Sequence, residues 1–125
     1  MSILQNKKDI EQYFYNNWTF TDVHWSGQEF DIQGRDEWIR LLYVPKSITA
    51  TGLSDDVNTF NGIVKMAIFA KTEFRCFELL DRASTLFDSV KVGNSFTTNA
   101  LILGTGMTSD GLFQFADIEV EITTH

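Results

Sequence analysis

The chain is poor in the residues that carry most enzyme chemistry and all covalent cross-linking. Its 125 residues include one cysteine, Cys76, and two histidines, His24 and His125. A lone cysteine forms no intramolecular disulfide and makes no zinc site with so few partners. Proline occurs once, at Pro45, so a proline-rich linker does not fit. Basic residues are scarce: Lys and Arg total 10 against 17 Asp and Glu, a formal net charge of −7. Such a field repels phosphate and argues against a basic nucleic-acid groove. No apolar run approaches the roughly 20 residues that span a bilayer. The stretch from Met1 to Asp9 has no apolar core of a secretory signal. The expectation is a soluble, non-secreted single domain over 1–125, without membrane contact.

What is present is aromatic. Phe alone counts 11, and Phe, Trp and Tyr together make 14% of the chain. Aromatics fill β-rich cores and also supply contact area at interfaces. With 43% hydrophobic and 22% charged residues, disorder is excluded.

Hydrophobic periodicity sets the element order. Ser2 with Gln5 forms a capping box, and Ile3, Ile10, Phe14 and Trp18 share one helical face that Asn16-Asn17 ends. The polar Asn6, Lys8, Asp9 and Gln12 fall mostly elsewhere. Short strands are expected around Val23-His24-Trp25 and Phe30-Asp31-Ile32. Trp38 to Val44 reads as a strong strand stopped by Pro45. From Lys46 to Phe60 the pattern weakens, and a connection of that length is usually functional or mobile. It is expected to be a mobile docking loop, with Thr49, Thr51, Leu53, Asp55, Asp56, Val57 and Phe60 as contact candidates. Gly62 to Ala70 is a second strong strand. Thr72 caps a second helix, in which Cys76, Leu79, Leu80, Ala83, Phe87 and Val90 recur at helical spacing. Val92-Gly93-Asn94 closes that segment, and two strands near 97–103 and 112–123 follow, joined through Gly104 to Gly111. The expected fold is α+β, two helices packed on one face of a mainly antiparallel sheet, in the order α-β-β-β-α-β-β.

The catalytic inventory is thin. His24 lies in a strand without a visible orienting carboxylate, and Cys76 falls on the apolar face of a helix, where a thiol is usually inert. Gly104-Thr105-Gly106 lacks the third glycine of a dinucleotide loop, since Ser109 stands there, and strand residues follow instead of a helix. Asp55-Asp56-Val57-Asn58 begins like a calcium loop but places Phe60, Asn61 and Ala67 where ligands and the turn glycine belong. No catalytic residue, metal or cofactor is expected. The last strand says more. Ile118, Val120 and Ile122 alternate with Asp117, Glu119 and Glu121, and strict alternation adds Phe113 and Phe115 to the acidic face. A bulge near Ala116 is the alternative, returning both rings to the core. A solvated sheet face explains the acids; the functional reading is an interface at the two Phe and an acidic wall beyond them.

Taken in order, these pieces resemble the tail terminator family of long-tailed bacteriophages, the lambda minor tail protein U-like domains. The matching pieces are the first helix, Trp25 with Phe30, Glu37-Trp38-Ile39-Arg40 opening a strand that ends in Val44-Pro45, Gly62-Ile63-Val64, Ala67-Ile68-Phe69, and a helix carrying Ala83 and ending in Leu86-Phe87. A closing hairpin over Gly104-Thr105-Gly106 and Asp110-Gly111 ends in Ile118-Glu119-Val120-Glu121-Ile122. Lys71-Thr72-Glu73 departs from the family, which often has a glycine-containing loop there. The resemblance implies a non-enzymatic virion protein, assembled in the host cytoplasm into the neck of the tail. It implies a homohexameric ring that ends tail-tube polymerisation and receives a head-completion or connector protein, with DNA only as passing cargo. In that setting Phe113 and Phe115 serve as interface and Asp117, Glu119 and Glu121 as an acidic lumen that does not hold DNA. Another neck or tail-tube protein, or a small α+β ligand-binding domain, is the alternative.

Overall fold

In the computed structural model the described residues are 3–50 and 58–124. Helix α1 (Ile3–Asn17) buries Ile10 and Phe14, and Trp18 caps the same face just beyond it. Phe14 stacks on Trp18 at 5.5 Å and on Phe87 at 6.3 Å. Helix α2 (Glu73–Leu86) begins at Thr72, whose hydroxyl accepts from the Arg75 backbone N–H at 3.2 Å, and buries Cys76, Leu79, Leu80 and Ala83. Both helices therefore show the apolar stripe that their spacing dictates.

Among the described residues seven strands form one sheet: β1 (Asp22–Trp25), β2 (Glu37–Ala50), β3 (Asn58–Ala70), β4 (Lys91–Val92), β5 (Ser95–Thr97), β6 (Leu101–Met107) and β7 (Gln114–Thr124). Their spatial order is β1-β2-β3-β7-β5-β4, with β6 paired to β7. Pairing is antiparallel except between β1 and β2, which run parallel. Strand side chains alternate between faces, and the helices cover only one. Ile39, Leu41 and Tyr43 of β2, Val64, Met66 and Ile68 of β3, and Ile118, Val120 and Ile122 of β7 join the helix side chains in one core. The fold is α+β with a mixed sheet.

Several expectations are corrected. Pro45 does not stop its strand: β2 continues to Ala50, with a register irregularity between Pro45 and Ser47. Among the described residues β1 pairs with β2 only as far as Leu41, so beside Pro45 one edge of β2 has no strand neighbour. Proline, which lacks a donor, is tolerated at such an edge and at a bulge. Both ends of the expected docking loop are accordingly corrected. Thr49 pairs with Thr59, and Phe60 with Ile48 and Thr124, so both belong to strands. Thr51, Leu53, Asp55, Asp56 and Val57 lie outside the described residues. No strand forms at Phe30–Ile32. The Asp31 carboxylate accepts from the Gln33 backbone N–H at 2.9 Å, and its carbonyl accepts from Arg35 Nε at 2.6 Å. Such local bonds compete with a ladder. After α2 come four strands rather than two, because Gly93, at φ +61°, turns β4 into β5 as a tight hairpin. β6 also runs on through Gly104 to Met107, leaving a turn at 108–113. The alternation of β7 is unbroken at Ala116; the bulge lies on β6, between Ile102 and Gly104.

Candidate functional site

The three long strands set rows of side chains across the helix-free face. Trp38, Phe69 and Phe115 form the first row; Arg40, Ala67 and Asp117 the second. Leu42, Lys65 and Glu119 form the third, and Val44, Ile63 and Glu121 the fourth. Phe115, Asp117, Glu119 and Glu121 thus share one face as alternation required. The face is not purely acidic. Lys65 lies directly beside Glu119, and Arg40 stands in the row of Asp117. A shallow groove of about 270 Å³ runs between these rows, lined by Arg40, Leu42, Lys65, Ala67, Leu103 and Asp117 among others. It is slightly below the roughly 300–1,000 Å³ typical of small-molecule sites. A larger hollow of about 680 Å³ beside Trp18, Trp25 and Arg35 lies open to solvent.

Phe113 departs from expectation. It is only 7% exposed, with its ring edge-on to Trp38 at 4.8 Å and the Lys71 ammonium 4.6 Å above it. Trp38 also stacks on Phe69 at 4.9 Å and touches Phe30 at 6.1 Å. Phe113 therefore belongs to a small aromatic cluster on the helix-free side, inside the subunit. The hairpin turn holds it there: Asp110 accepts from the Leu112 backbone N–H at 3.0 Å, and Thr108 accepts from the Phe113 N–H at 3.3 Å. Phe115 is half-buried, and a Cβ at Gly106 would stand 3.4 Å from its ring.

The apolar surface that sequence reading missed is β6 with the turn after it. Leu101, Ile102 and Leu103 are 57%, 54% and 50% exposed, and Met107 and Leu112 are similarly open. Only β7 pairs with β6 among the described residues. The signal was in the sequence, since 101–107 contains no charged residue and no proline, and edge strands are normally protected by both. A second apolar surface lies on α2, where Phe74, 79% exposed, and Phe77 sit on its outer side.

The residues weighed for catalysis are placed structurally. The His24 ring stacks on Phe30 at 5.1 Å, with Nε2 2.8 Å from the Gln28 carbonyl oxygen. Cys76 is buried, and burial, aided by the Glu73 charge, pushes its thiol pKa up. Among the described residues no group of three or more His, Cys, Asp or Glu is positioned to hold a metal ion.

The sequence matches no protein-family model and no curated protein. Its fold does recur in solved structures. One matches with a TM-score of 0.68 over 95% of each chain, at 12% identity. At that identity the likeness concerns fold alone.

Proposed function

We propose that the chain is a tail-terminator-like virion protein of a long-tailed bacteriophage. In this reading it is no enzyme and needs no cofactor. Copies assemble in the host cytoplasm as a hexameric ring on the head-proximal end of the tail tube, stop its growth and present a surface to the head-completion or connector protein. DNA passes through as cargo. The observation that carries the reading is the presence of two separate apolar surfaces, the β6 edge and the Phe74–Phe77 side of α2. A head-to-tail ring needs two different complementary patches on every subunit. Exposed apolar patches on a small subunit mark contact surfaces. The shallow, mixed-charge groove offers less to a small ligand than this surface offers to a protein.

The test is to add the purified chain to growing tail tubes and image their ends. Uniform tube length with six copies at one end is the expected result. Copolymerisation along the whole tube would make it a tube protein, and tubes left unaltered would sink the proposal.

A further inference from the structure

We infer that β6 pairs antiparallel with β6 of a second copy about a two-fold axis passing between Leu103 and Gly104. The inference rests on the edge strand itself and not on the phage reading.

An edge strand presents unpaired main-chain donors and acceptors, so its natural occupant is another extended strand. Which strand follows from side-chain size, facing and charge. Leu101 pairs with Glu119, Gly104 with Asp117 and Gly106 with Phe115, so these three share the helix-free face; Leu103 lines the groove on that face as well. Ile102 and Thr105 pair with Ile118 and Ala116 and face the other way. The extra residue at the bulge is what brings Leu103 and Gly104, neighbours in sequence, to one face. An antiparallel copy must match facing as well as hydrogen-bonding parity. With the axis between Leu103 and Gly104, Leu103 meets Gly104 of the second copy, Leu101 meets Gly106, and Ile102 meets Thr105. Facing agrees at every pair. An axis through Gly104 itself would set Ile102 against Gly106, on opposite faces.

The chosen register also sets each leucine against a glycine. A Cβ at Gly104 meets nothing within 4 Å, so the space above it is open to the Leu103 side chain of the second copy. Thr105 and Ile102 form a branched cross-strand pair, a favourable combination.

Charge agrees. Two molecules of net charge −7 repel in general, yet 101–107 carries no charge. The nearest facing acids, Asp117 and its counterpart, would lie three strand spacings apart, about 14 Å. That exceeds the screening length of roughly 8 Å at physiological salt. Each also has an Arg40 in its own row.

A seven-residue edge covers less than the roughly 800 Å² per partner of a standard stable interface, so the pair is a weak one. It is also closed: two-fold pairing occupies β6 on both copies of the free chain, and, being weak, it is the contact that gives way where the same edge enters a head-to-tail ring on the tube.

Sedimentation equilibrium of the intact chain over roughly 1 μM to 1 mM is the measurement, the range a weak contact occupies. A monomer–dimer equilibrium is expected. Gly104→Val should weaken it at least tenfold while leaving the monomer's thermal melt unchanged, because the added methyls enter space empty in the monomer but filled by Leu103 in the pair. Mixed Ile102→Cys and Thr105→Cys proteins should cross-link to each other under mild oxidation, and neither should cross-link alone. A monomer throughout, a dimer indifferent to Gly104→Val, or cross-linking of Ile102→Cys with itself would overturn the inference. So would a larger oligomer lost in Gly104→Val, which would place β6 in a head-to-tail contact. Failure of tube capping with the dimer intact would remove the phage reading alone.

Discussion

Asn6 of α1 and Tyr43 of β2 meet inside the core, where Asn6 Nδ2 donates to the Tyr43 hydroxyl oxygen at 2.6 Å. Ser95 Oγ donates to Asn6 Oδ1 at 2.5 Å, so one side chain ties the first helix to strands at both sides of the sheet. Asn6 is 1% exposed. Replacing it with Leu removes both bonds and leaves polar atoms facing an apolar side chain. A buried group stripped of its partner costs about 1–3 kcal/mol. The urea midpoint of Asn6→Leu should fall accordingly with the slope unchanged. A variant as stable as the parent would show that the pair contributes nothing net.

Arg75 supports the other end of the molecule. Its Nε and Nη2 donate to the two Glu37 carboxylate oxygens at 2.7 and 2.9 Å, fastening α2 to the start of β2, and it also pairs with Glu78. The Arg75 hydrogen bonds hold the Glu37 carboxyl below its ordinary value, against a smaller opposing effect of burial. A depressed acid contributes stability that is complete above its unfolded pKa, near 4.5, and disappears as pH falls through the folded value. The pair is partly solvated, so its contribution is about 1 kcal/mol or less. Glu37→Gln should reduce stability at pH 7 and matter progressively less as the pH falls through the acid range, narrowing the gap between neutral and acid stability. Parallel pH–stability curves for both proteins would contradict this.

Much of this fold was legible because alternation and helical spacing depend only on which face meets the core. Ile10, Phe14, Leu79, Ala83, Ile118 and Val120 are buried as their spacing required. Asn6 was not legible: a polar residue on a helix is assigned to solvent unless its partners are known, and Tyr43 and Ser95 are distant in sequence. Phe113 failed for a related reason. Parity placed it on the helix-free side correctly, but Trp38 and Lys71, which cover it there, come from other segments. The β6 edge was missed because Gly104-Thr105-Gly106 looks like a turn until a bulge and a partner strand extend it.

The placement of the two Phe residues separates their roles. Phe113→Ala removes a buried ring from contact with Trp38 and should cost about 3 kcal/mol of folding stability. For a domain of this size that lowers the melting temperature by on the order of 10 °C. Phe115→Ala, half-exposed on the sheet face, should cost clearly less. Equal melts for the two variants would show that the Trp38–Phe113 contact adds no stability.

Lys65 and Glu119 sit directly opposite on β3 and β7, whereas the register partner of Glu121 is Ile63. Reversing the two acids therefore has different consequences. Glu119→Lys sets like charges side by side on adjacent strands, which costs a few tenths to about 1 kcal/mol. Glu121→Lys creates no such pair and should leave stability within about 0.5 kcal/mol of the parent. Adding Lys65→Glu to Glu119→Lys restores opposite charges, so the double variant should recover most of the loss, a coupling that a mutant cycle isolates. Lower salt should enlarge the effect, because screening weakens exposed pairs. If the helix-free face lines a conduit, Glu121→Lys on capped tubes should slow DNA release, since it offers phosphates a cation without disturbing the fold. Additive effects of the Lys65 and Glu119 changes at low salt would mean that the register neighbours do not interact, and unchanged release would place Glu121 outside the DNA path.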